Sequence, residues 1–470
     1  MTTVTIAILA EILWVGGLAT WIVLDRRSPT ATLAWIFALA WLPFLGAGVY
    51  LLIGPRRLHR KKRRYAAARV RAAEAAGAAG NHAADAPPKP LLAISQGAGY
   101  FPALRAERIE VYHCGDDCYQ NLYQAIEDAR RHIHLEYYIF APDATGTQLR
   151  DLLCKKARQG VQVRLLLDAI GSSSTGRRFL APLEDAGADV AWFNPISLAR
   201  LRPGLMNFRT HRKIVVCDGR VGFIGGINIC NEQSAAACGD RAWRDSHLRI
   251  EGAPVRWLQC VFLEDWYFAT GGGPSSREYF PEPVAQPQGP WVEIVASGPD
   301  HDAYPIHKYF FAAITGAQRR AYLTTPYFVP DEAILAALTT TALRRVDVRV
   351  LVPKQSDSRL VTAAARSYFE ELIRAGVKVY EYQGKMLHAK TLAIDDRLSI
   401  VGSANMDNRS FRLNFEVIAA IHDPATAAEM TATFCSDIRR ARPYSIRRAR
   451  QTRFPQRLAQ GTARLLSPLL

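Results

Sequence analysis

Two apolar runs open the chain, Val4–Leu24 and Ala31–Ile53, parted only by the polar turn Asp25–Thr30. As helices, both are long enough to cross the ~30 Å hydrocarbon core of a bilayer, so the pattern predicts a transmembrane helical hairpin over residues 1–55. A cleaved leader fits less well, because no positive n-region precedes the first run and a second run follows at once. Glu11, an ionisable group inside the first run, is expected to serve helix packing, and Pro43 with Gly46 and Gly48 to kink or closely pack the second. The run Arg56-Arg57-Leu58-His59-Arg60-Lys61-Lys62-Arg63-Arg64 places both ends of the hairpin on the cytoplasmic side, although Arg26 and Arg27 in the turn argue weakly the other way. An Ala-rich stretch and then a Pro-rich one follow, so residues 56–90 read as a basic linker.

Past the linker the pattern changes to short apolar runs alternating with amphipathic stretches, and it does so twice. His134-Leu-Glu-Tyr-Tyr-Ile-Phe140 resembles Tyr322-Leu-Thr-Thr-Pro-Tyr-Phe328, and Val161-Gln-Val-Arg-Leu-Leu-Leu167 resembles Val346-Asp-Val-Arg-Val-Leu-Val352. The helical stretches Gln148–Gln159 and Glu332–Arg344 lie between these strands. Strand, helix, strand in each half implies parallel β/α units. The chain is therefore expected to hold a first repeat over 91–280, a second over 281–438 and a basic C-terminal tail over 439–470. The break between repeats falls near Gly271–Ser276 or the Pro-rich Pro281–Pro290.

The same doubling carries the candidate chemistry. His211, Lys213, Asp218, Gly225 and Asn228 fit the template H-x-K-x4-D-x6-G-[GS]-x-N, and so do His388, Lys390, Asp395, Gly402 and Asn405. Five fixed positions recur by chance at roughly one start site in a million. His and Lys two apart on a strand share a face, so each copy can present an imidazole beside an ammonium. The apolar runs after each lysine, broken at Asp218-Gly219 and Asp395-Asp396, predict hairpins. Gly225-Gly226 and Gly402-Ser403 then allow close backbone approach. A basic imidazole needs a partner on its other ring nitrogen, and Asp245 and Glu416, at corresponding places downstream, are the candidates. Lysine beside each histidine disfavours a metal. Two His, two Lys and two Asn suit an anion with three or four oxygens, with no cofactor required.

These motifs resemble the paired HKD motifs of the phospholipase D superfamily, over most of residues 105–425. Leu135-Glu136-Tyr137-Tyr138-Ile139, Gly225-Gly226-Ile227-Asn228, Trp243-Arg244-Asp245, Leu248–Gly252 and the early Arg27-Ser28-Pro29 look like its bacterial cardiolipin synthase branch. The resemblance implies an α/β fold of two pseudo-twofold-related repeats sharing one active site, and phosphatidyl transfer between two phosphatidylglycerols with release of glycerol. It also implies His211 as nucleophile and His388 as acid, with Lys213, Lys390, Asn228 and Asn405 on the phosphate oxygens. Asp218 and Asp395 are counted with the motif but are expected to brace its hairpins. Ser403 has no hydroxyl counterpart at Gly226, so the two histidines' surroundings should differ. Glu136, Tyr137 and Tyr138 are candidates for lining the pocket.

Composition adds a surface and removes some alternatives. The net charge is +16, and the basic run at 56–64 and the tail Arg439–Arg464 suit an anionic leaflet. The expected partners are phosphatidylglycerol and other anionic lipids at the inner membrane of a bacterium, with a cytoplasmic catalytic domain and no nucleic acid. The eight cysteines form no ligand pattern and are expected reduced. A membrane phospholipase D using water or another acceptor, a nuclease and an inactive scaffold are the competing readings. Intact His, Lys and Asn in both halves weigh against the scaffold, and the apolar runs against the nuclease.

Overall fold

The computed structural model describes residues 3–24, 29–42, 91, 101–195, 208–272, 277–282, 288–300 and 303–467. It divides into two compact units, one of Met1–Arg57 with Ile196–Phe208, the other of Leu58–Pro195 with Arg209–Leu470.

In the first unit, helices Thr3–Leu24 and Pro29–Trp41 pack through Ile22 and Leu39, with Leu18 and Trp35 beside them. The expected pair of helices is present, but the second has 13 residues, ~20 Å at 1.5 Å per residue. Among the described residues no helix is long and apolar enough to cross a membrane. The rest of the expected second span, residues 43–53, lies outside the described residues, as do the basic run 56–64, the linker 65–90 and the side chain of Glu11.

In the second unit, the first half supplies strands β1 (Leu104–Tyr112), β2 (His132–Tyr137), β3 (Gln162–Asp168), β4 (Asp189–Phe193), β5 (Ile214–Cys217), β6 (Val221–Gly225) and β7 (His247–Gly252). The second half supplies β8 (Trp291–Ser297), β9 (Arg320–Thr324), β10 (Phe328–Val329), β11 (Asp347–Pro353), β12 (Lys378–Tyr382), β13 (Thr391–Ile394), β14 (Leu398–Gly402), β15 (Met406–Asp407), β16 (Glu416–His422) and β17 (Ala441–Pro443). Fifteen of the described strands form one sheet, ordered β17-β12-β11-β9-β13-β14-β16-β8-β1-β7-β6-β5-β2-β3-β4, and β10 pairs with β15 separately. Outward from the central β8–β1 contact, the two halves run in the same order: β1-β7-β6-β5-β2-β3-β4 and β8-β16-β14-β13-β9-β11-β12. Parallel β2-β3-β4 is matched by parallel β9-β11-β12, and each first strand meets its motif strand, β5 or β13, antiparallel.

Two-sided burial explains why the motif strands read as plain apolar runs. Along β5, Ile214 and Val216 join the core that contains Trp257, Leu258 and Val261 of the helix Val255–Thr270. Val215 and Cys217 join the core of Leu149 and Leu153 from the helix Ala144–Arg158. Corresponding helices even start alike. Asp143 caps Ala144–Arg158 by accepting from Gly146 N at 3.0 Å, and Asp331 caps Glu332–Leu343 by accepting from Ile334 N at 3.1 Å, each cap contributing about 1 kcal/mol.

The C-terminal segment is not a free tail. Its β17 adds antiparallel to β12, and the helices Ile446–Arg450 and Phe454–Leu465 pack on the helix Arg359–Arg374. Tyr368 Oη and Ser467 Oγ lie 2.9 Å apart, and Arg448 reaches Glu381 at 2.6 Å. Tyr444 and Ala463 are buried among the arginines, and with the contacts of Arg448 on Glu381 and Arg464 on the Tyr368 ring they seat the segment. Of the expected interrepeat break, 273–276 and 283–287 lie outside the described residues.

Both motif aspartates stand at the hairpin turns in the left-handed region, Asp218 at φ 55° and Asp395 at φ 52°. Asp218 accepts from the backbone N–H of Arg130, Arg131 and His132 at 2.7, 2.8 and 2.9 Å. Asp395 accepts from Gln318, Arg319 and Arg320 at 3.2, 2.8 and 3.0 Å. Each carboxylate thus ties its motif hairpin to the entry of the neighbouring strand. Asp218→Ala is expected to lower stability by about 2–4 kcal/mol, through three unpaired donors and alanine at positive φ. Asp218→Asn, which keeps an acceptor and tolerates that backbone, should lose less than half as much, as read from melting of the two purified variants.

Candidate active site

Main-chain bonds between the halves bring the two motifs together. His211 N donates to Phe415 O at 2.9 Å and Phe415 N to Arg209 O at 2.9 Å; on the other side, His388 N donates to Arg244 O at 2.7 Å and Arg244 N to Met386 O at 2.9 Å. The segment before each histidine therefore lies beside the segment before the other half's acid. The carboxylates follow. Glu416 of the second half sits 3.1 Å from Nδ1 of His211, and Asp245 of the first half sits 2.6 Å from Nδ1 of His388. Asp245 and Glu416 are thus both imidazole partners, each serving the histidine of the opposite repeat.

His211 and Lys213 occupy the extended segment just ahead of β5, and His388 and Lys390 the one ahead of β13, not the strands themselves. All four side chains are buried. Lys213 Nζ donates to His211 O at 2.6 Å and lies 5.3 Å from the centre of the Tyr138 ring. Lys390 Nζ donates to His388 O and stands 3.0 Å from His388 Nδ1. Tyr138 packs edge-on to His211 at 4.9 Å, while Trp243 lies 5.0 Å from His388. Asn228 is buried, with its side-chain oxygen accepting from Ile139 N at 3.2 Å, which leaves the NH2 for another acceptor. Asn405 is buried too, and its backbone N donates to Ser410 Oγ at 3.1 Å.

Burial sets the electrostatics. It drives the His211 imidazole down to about 4, and it lowers His388, with Lys390 adding to the effect. It also brings Lys213 down to about 7 and Lys390 to about 8, against the pull of Glu416 and Asp245. Burial works against ionised carboxylates as well, but His388 and Lys390 overcome it to hold Asp245 at about 2, and His211, Lys213 and Ser403 keep Glu416 below its ordinary value. Neutral imidazoles beside ionised acids place the proton on Nδ1 and leave a lone pair on Nε2. Two buried ammonium groups with lowered proton affinity form a site that gains from an incoming anion.

The two acid–histidine pairs are built differently. Ser403 Oγ donates to Glu416 Oε2, and Asn414 Nδ2 to Glu416 Oε1 at 3.2 Å. On the other side Gln233 Nε2 donates to Asp245 Oδ2 at 3.1 Å and Ser246 N to Oδ1 at 2.7 Å. A Cβ at Gly226 would stand 2.1 Å from Asp245 Oδ1, so the smaller residue there makes room for the carboxylate itself.

Asp218 and Asp395 lie at the far ends of β5 and β13 from the lysines, occupied with backbone N–H groups. Glu136 accepts from Thr210 Oγ1 within a buried charged group that includes Arg212 and Asp265, and Tyr137 joins the first-half core, so Tyr138 alone of those three meets an imidazole. Arg212, between His211 and Lys213, escaped the sequence reading. It donates to Glu416 O at 3.2 Å and to Asp265, anchoring the motif across the seam. Its position inside the first motif was the available signal; Gln233 and Asn414 gave none. All eight cysteines are free, and no cluster of ligands able to hold a metal occurs among the described residues.

A family model described as cardiolipin synthase, PLD-like domain, matches residues 122–266 and 310–438. The chain belongs to that family. A second model, described as phospholipase D-nuclease N-terminal, matches residues 12–55. Similar relatives include a cardiolipin synthase of Geobacillus thermodenitrificans (strain NG80-2), 41% identical over 95% of this chain and 90% of its own, and cardiolipin synthase 1 of Bacillus anthracis, 36% identical over 98% and 93%. Among solved structures, the phosphatidylserine synthase of Haemophilus influenzae Rd KW20 shares the fold, with a TM-score of 0.61 at 16% identity, over 81% of this chain and all of that one.

The asymmetry at Gly226 and Ser403 gives a direct test. Gly226→Ser should displace Asp245 from His388 and reduce phosphodiester turnover roughly 100-fold. Ser403→Gly removes one hydrogen bond to Glu416 and should cost roughly tenfold, both measured as initial rates on protein whose melting temperature is checked alongside.

Proposed function

We propose that this chain transfers a phosphatidyl group from one phosphatidylglycerol to another, forming cardiolipin and releasing glycerol. The observation that carries the reading is the pair of buried imidazoles, each held through Nδ1 by the other half's carboxylate and each accompanied by a buried lysine. In this reading Nε2 of His211 attacks the donor phosphorus, and the glycerol oxygen leaves with a proton from His388. A headgroup hydroxyl of the second phosphatidylglycerol then attacks the phosphohistidine. Its proton passes to His388, and His211 is regenerated. Lys213, Lys390 and the amides of Asn228 and Asn405 offset charge on the non-bridging oxygens. The arriving phosphodiester anion raises the proton affinity of His388, whose resting value is low, and so fits it to serve as acid.

A membrane location completes the reading. Leu13, Trp14, Trp21, Phe37 and Trp41 are exposed on the N-terminal helices, and apolar surface of that kind is at home in lipid. We place the two helices in the inner membrane of a bacterium as a hairpin, with the catalytic unit on the cytoplasmic side, where the basic run 56–64 belongs.

Incubating the purified protein with phosphatidylglycerol liposomes and following lipids and glycerol by mass spectrometry tests the reaction. Cardiolipin and glycerol are expected from the wild type, with a loss of roughly 10³-fold or more in His211→Ala and in His388→Ala. Phosphatidic acid in place of cardiolipin would make the chain a hydrolase. Rapid quenching should trap phosphate on His211, and an adduct on His388 would reverse the two roles.

The pH profile of kcat/KM should be bell-shaped. His211 must be neutral to attack, so the rate rises as pH passes about 4. His388 must be protonated to deliver its proton and burial lowers it, so the fall begins below the ordinary imidazole range, and it steepens as pH passes about 7 to 8, where Lys213 and Lys390 lose the charge that holds the anion. A profile flat from pH 7 to 9.5 would remove the lysines from substrate binding.

A further inference from the structure

The helix Phe454–Leu465 is docked inside out. At ~100° per residue, Phe454, Leu458 and Leu465 fall within about 40° of one another, and Ala463 lies about 180° from Phe454. Ala463 is the residue turned into the protein, packed on the helix Arg359–Arg374, while Phe454 is 77%, Leu458 60% and Leu465 79% exposed. Three large apolar side chains on one exposed stripe are not needed to seat this helix, since Ala463, Ser467 and the contact of Arg464 with the Tyr368 ring do that.

The surroundings of the stripe say what covers it. Residues 439–464 carry nine arginines, all exposed, and no Asp or Glu occurs from 438 to 464. Arg457 and Arg464 flank the stripe on one side, and Arg453 begins the helix. An apolar stripe bordered by cations of a single sign, on a helix of modest overall hydrophobicity, is the pattern of a helix that lies in the plane of a membrane surface. Arg448 and Arg464 already have Glu381 and Glu371 as partners; the other seven exposed arginines gain from anionic headgroups, whereas a second copy of this chain would bring nine more arginines against the first nine.

We propose that the helix Phe454–Leu465 is an interfacial anchor that seats the catalytic unit on an anionic lipid surface, with Phe454, Leu458 and Leu465 in the acyl boundary and Arg453 and Arg457 at the phosphates. It deepens the reading of the chain as an enzyme of phosphatidylglycerol, since the lipid that binds the arginines is also the substrate. The anchor couples surface binding to supply, concentrating the enzyme where the donor is dense.

The test uses the full chain in nanodiscs of phosphatidylcholine alone or with phosphatidylglycerol, followed by hydrogen–deuterium exchange over residues 450–467. Exchange is expected to slow roughly tenfold when phosphatidylglycerol is present and to recover at high salt. The variant Phe454→Ser/Leu458→Ser/Leu465→Ser changes exposed positions only and should exchange fast in both discs. Its turnover of phosphatidylglycerol in vesicles should fall roughly tenfold, with turnover of a short-chain, monomerically soluble phosphatidylglycerol unchanged. Equal exchange in both discs would overturn the anchor, as would protection that depends on protein concentration and not on lipid, which would mean self-association. A wild type that shows lipid-dependent protection but turns over neither substrate would keep the anchor and overturn the assigned reaction.

Discussion

The catalytic unit depends on one exchange: each repeat gives its acid to the other repeat's histidine. Glu416 crosses to His211 and Asp245 crosses to His388, and the backbone crosses with them through Phe415 and Arg244. Buried charges are costly to desolvate unless paired and hydrogen-bonded. Here each carboxylate meets an imidazole, a neighbouring donor and the field of a lysine, so removing any one of them while the halves stay together would leave its partners unpaired in an apolar interior. The long sheet is continuous across the seam for the same reason that the site is, since β8 and β1 meet where the crossing segments require the halves to touch.

Much of this was written in the sequence because it was written twice. The strand pairs around His134 and Tyr322, and around Val161 and Val346, foretold the parallel units, and the repeated His, Lys and Asn marked the residues that now lie together. Which acid meets which histidine could not be read. Asp245 follows His211 and Glu416 follows His388 along the chain, and only the packing of one repeat on the other reverses that pairing. Glu136 was similarly ambiguous, because on a strand buried on both faces alternation does not separate a pocket residue from a core one. The tail's charge was plain in its composition, but its docking was not. Nine arginines outweighed the few positions, Tyr444, Ala463 and Ser467, by which it is fixed.

Near-symmetry leaves room for division of labour. The backbone frame around the two imidazoles matches, with an acid on Nδ1 and a lysine reaching back to the histidine carbonyl. The acids themselves are held by different groups, a serine hydroxyl and an asparagine amide on one side, a glutamine amide and a backbone N–H on the other. The ring neighbours also differ, Tyr138 against Trp243. Differences of this size shift proton affinity without moving the imidazoles, and a reaction that asks one histidine to attack and the other to deliver a proton requires that inequality.

The crossed acids also constrain ancestry. A single repeat of this design would hold a histidine without its acid and an acid without its histidine, and would become complete only on meeting a second copy. As separate molecules the copies would lose activity on dilution; in one polypeptide the encounter is intramolecular and its effective concentration is fixed by the connection. Fusion does more than secure assembly. Two identical subunits must change together, while two tethered ones mutate one position at a time, and a serine can face a glycine across an axis that no longer imposes sameness.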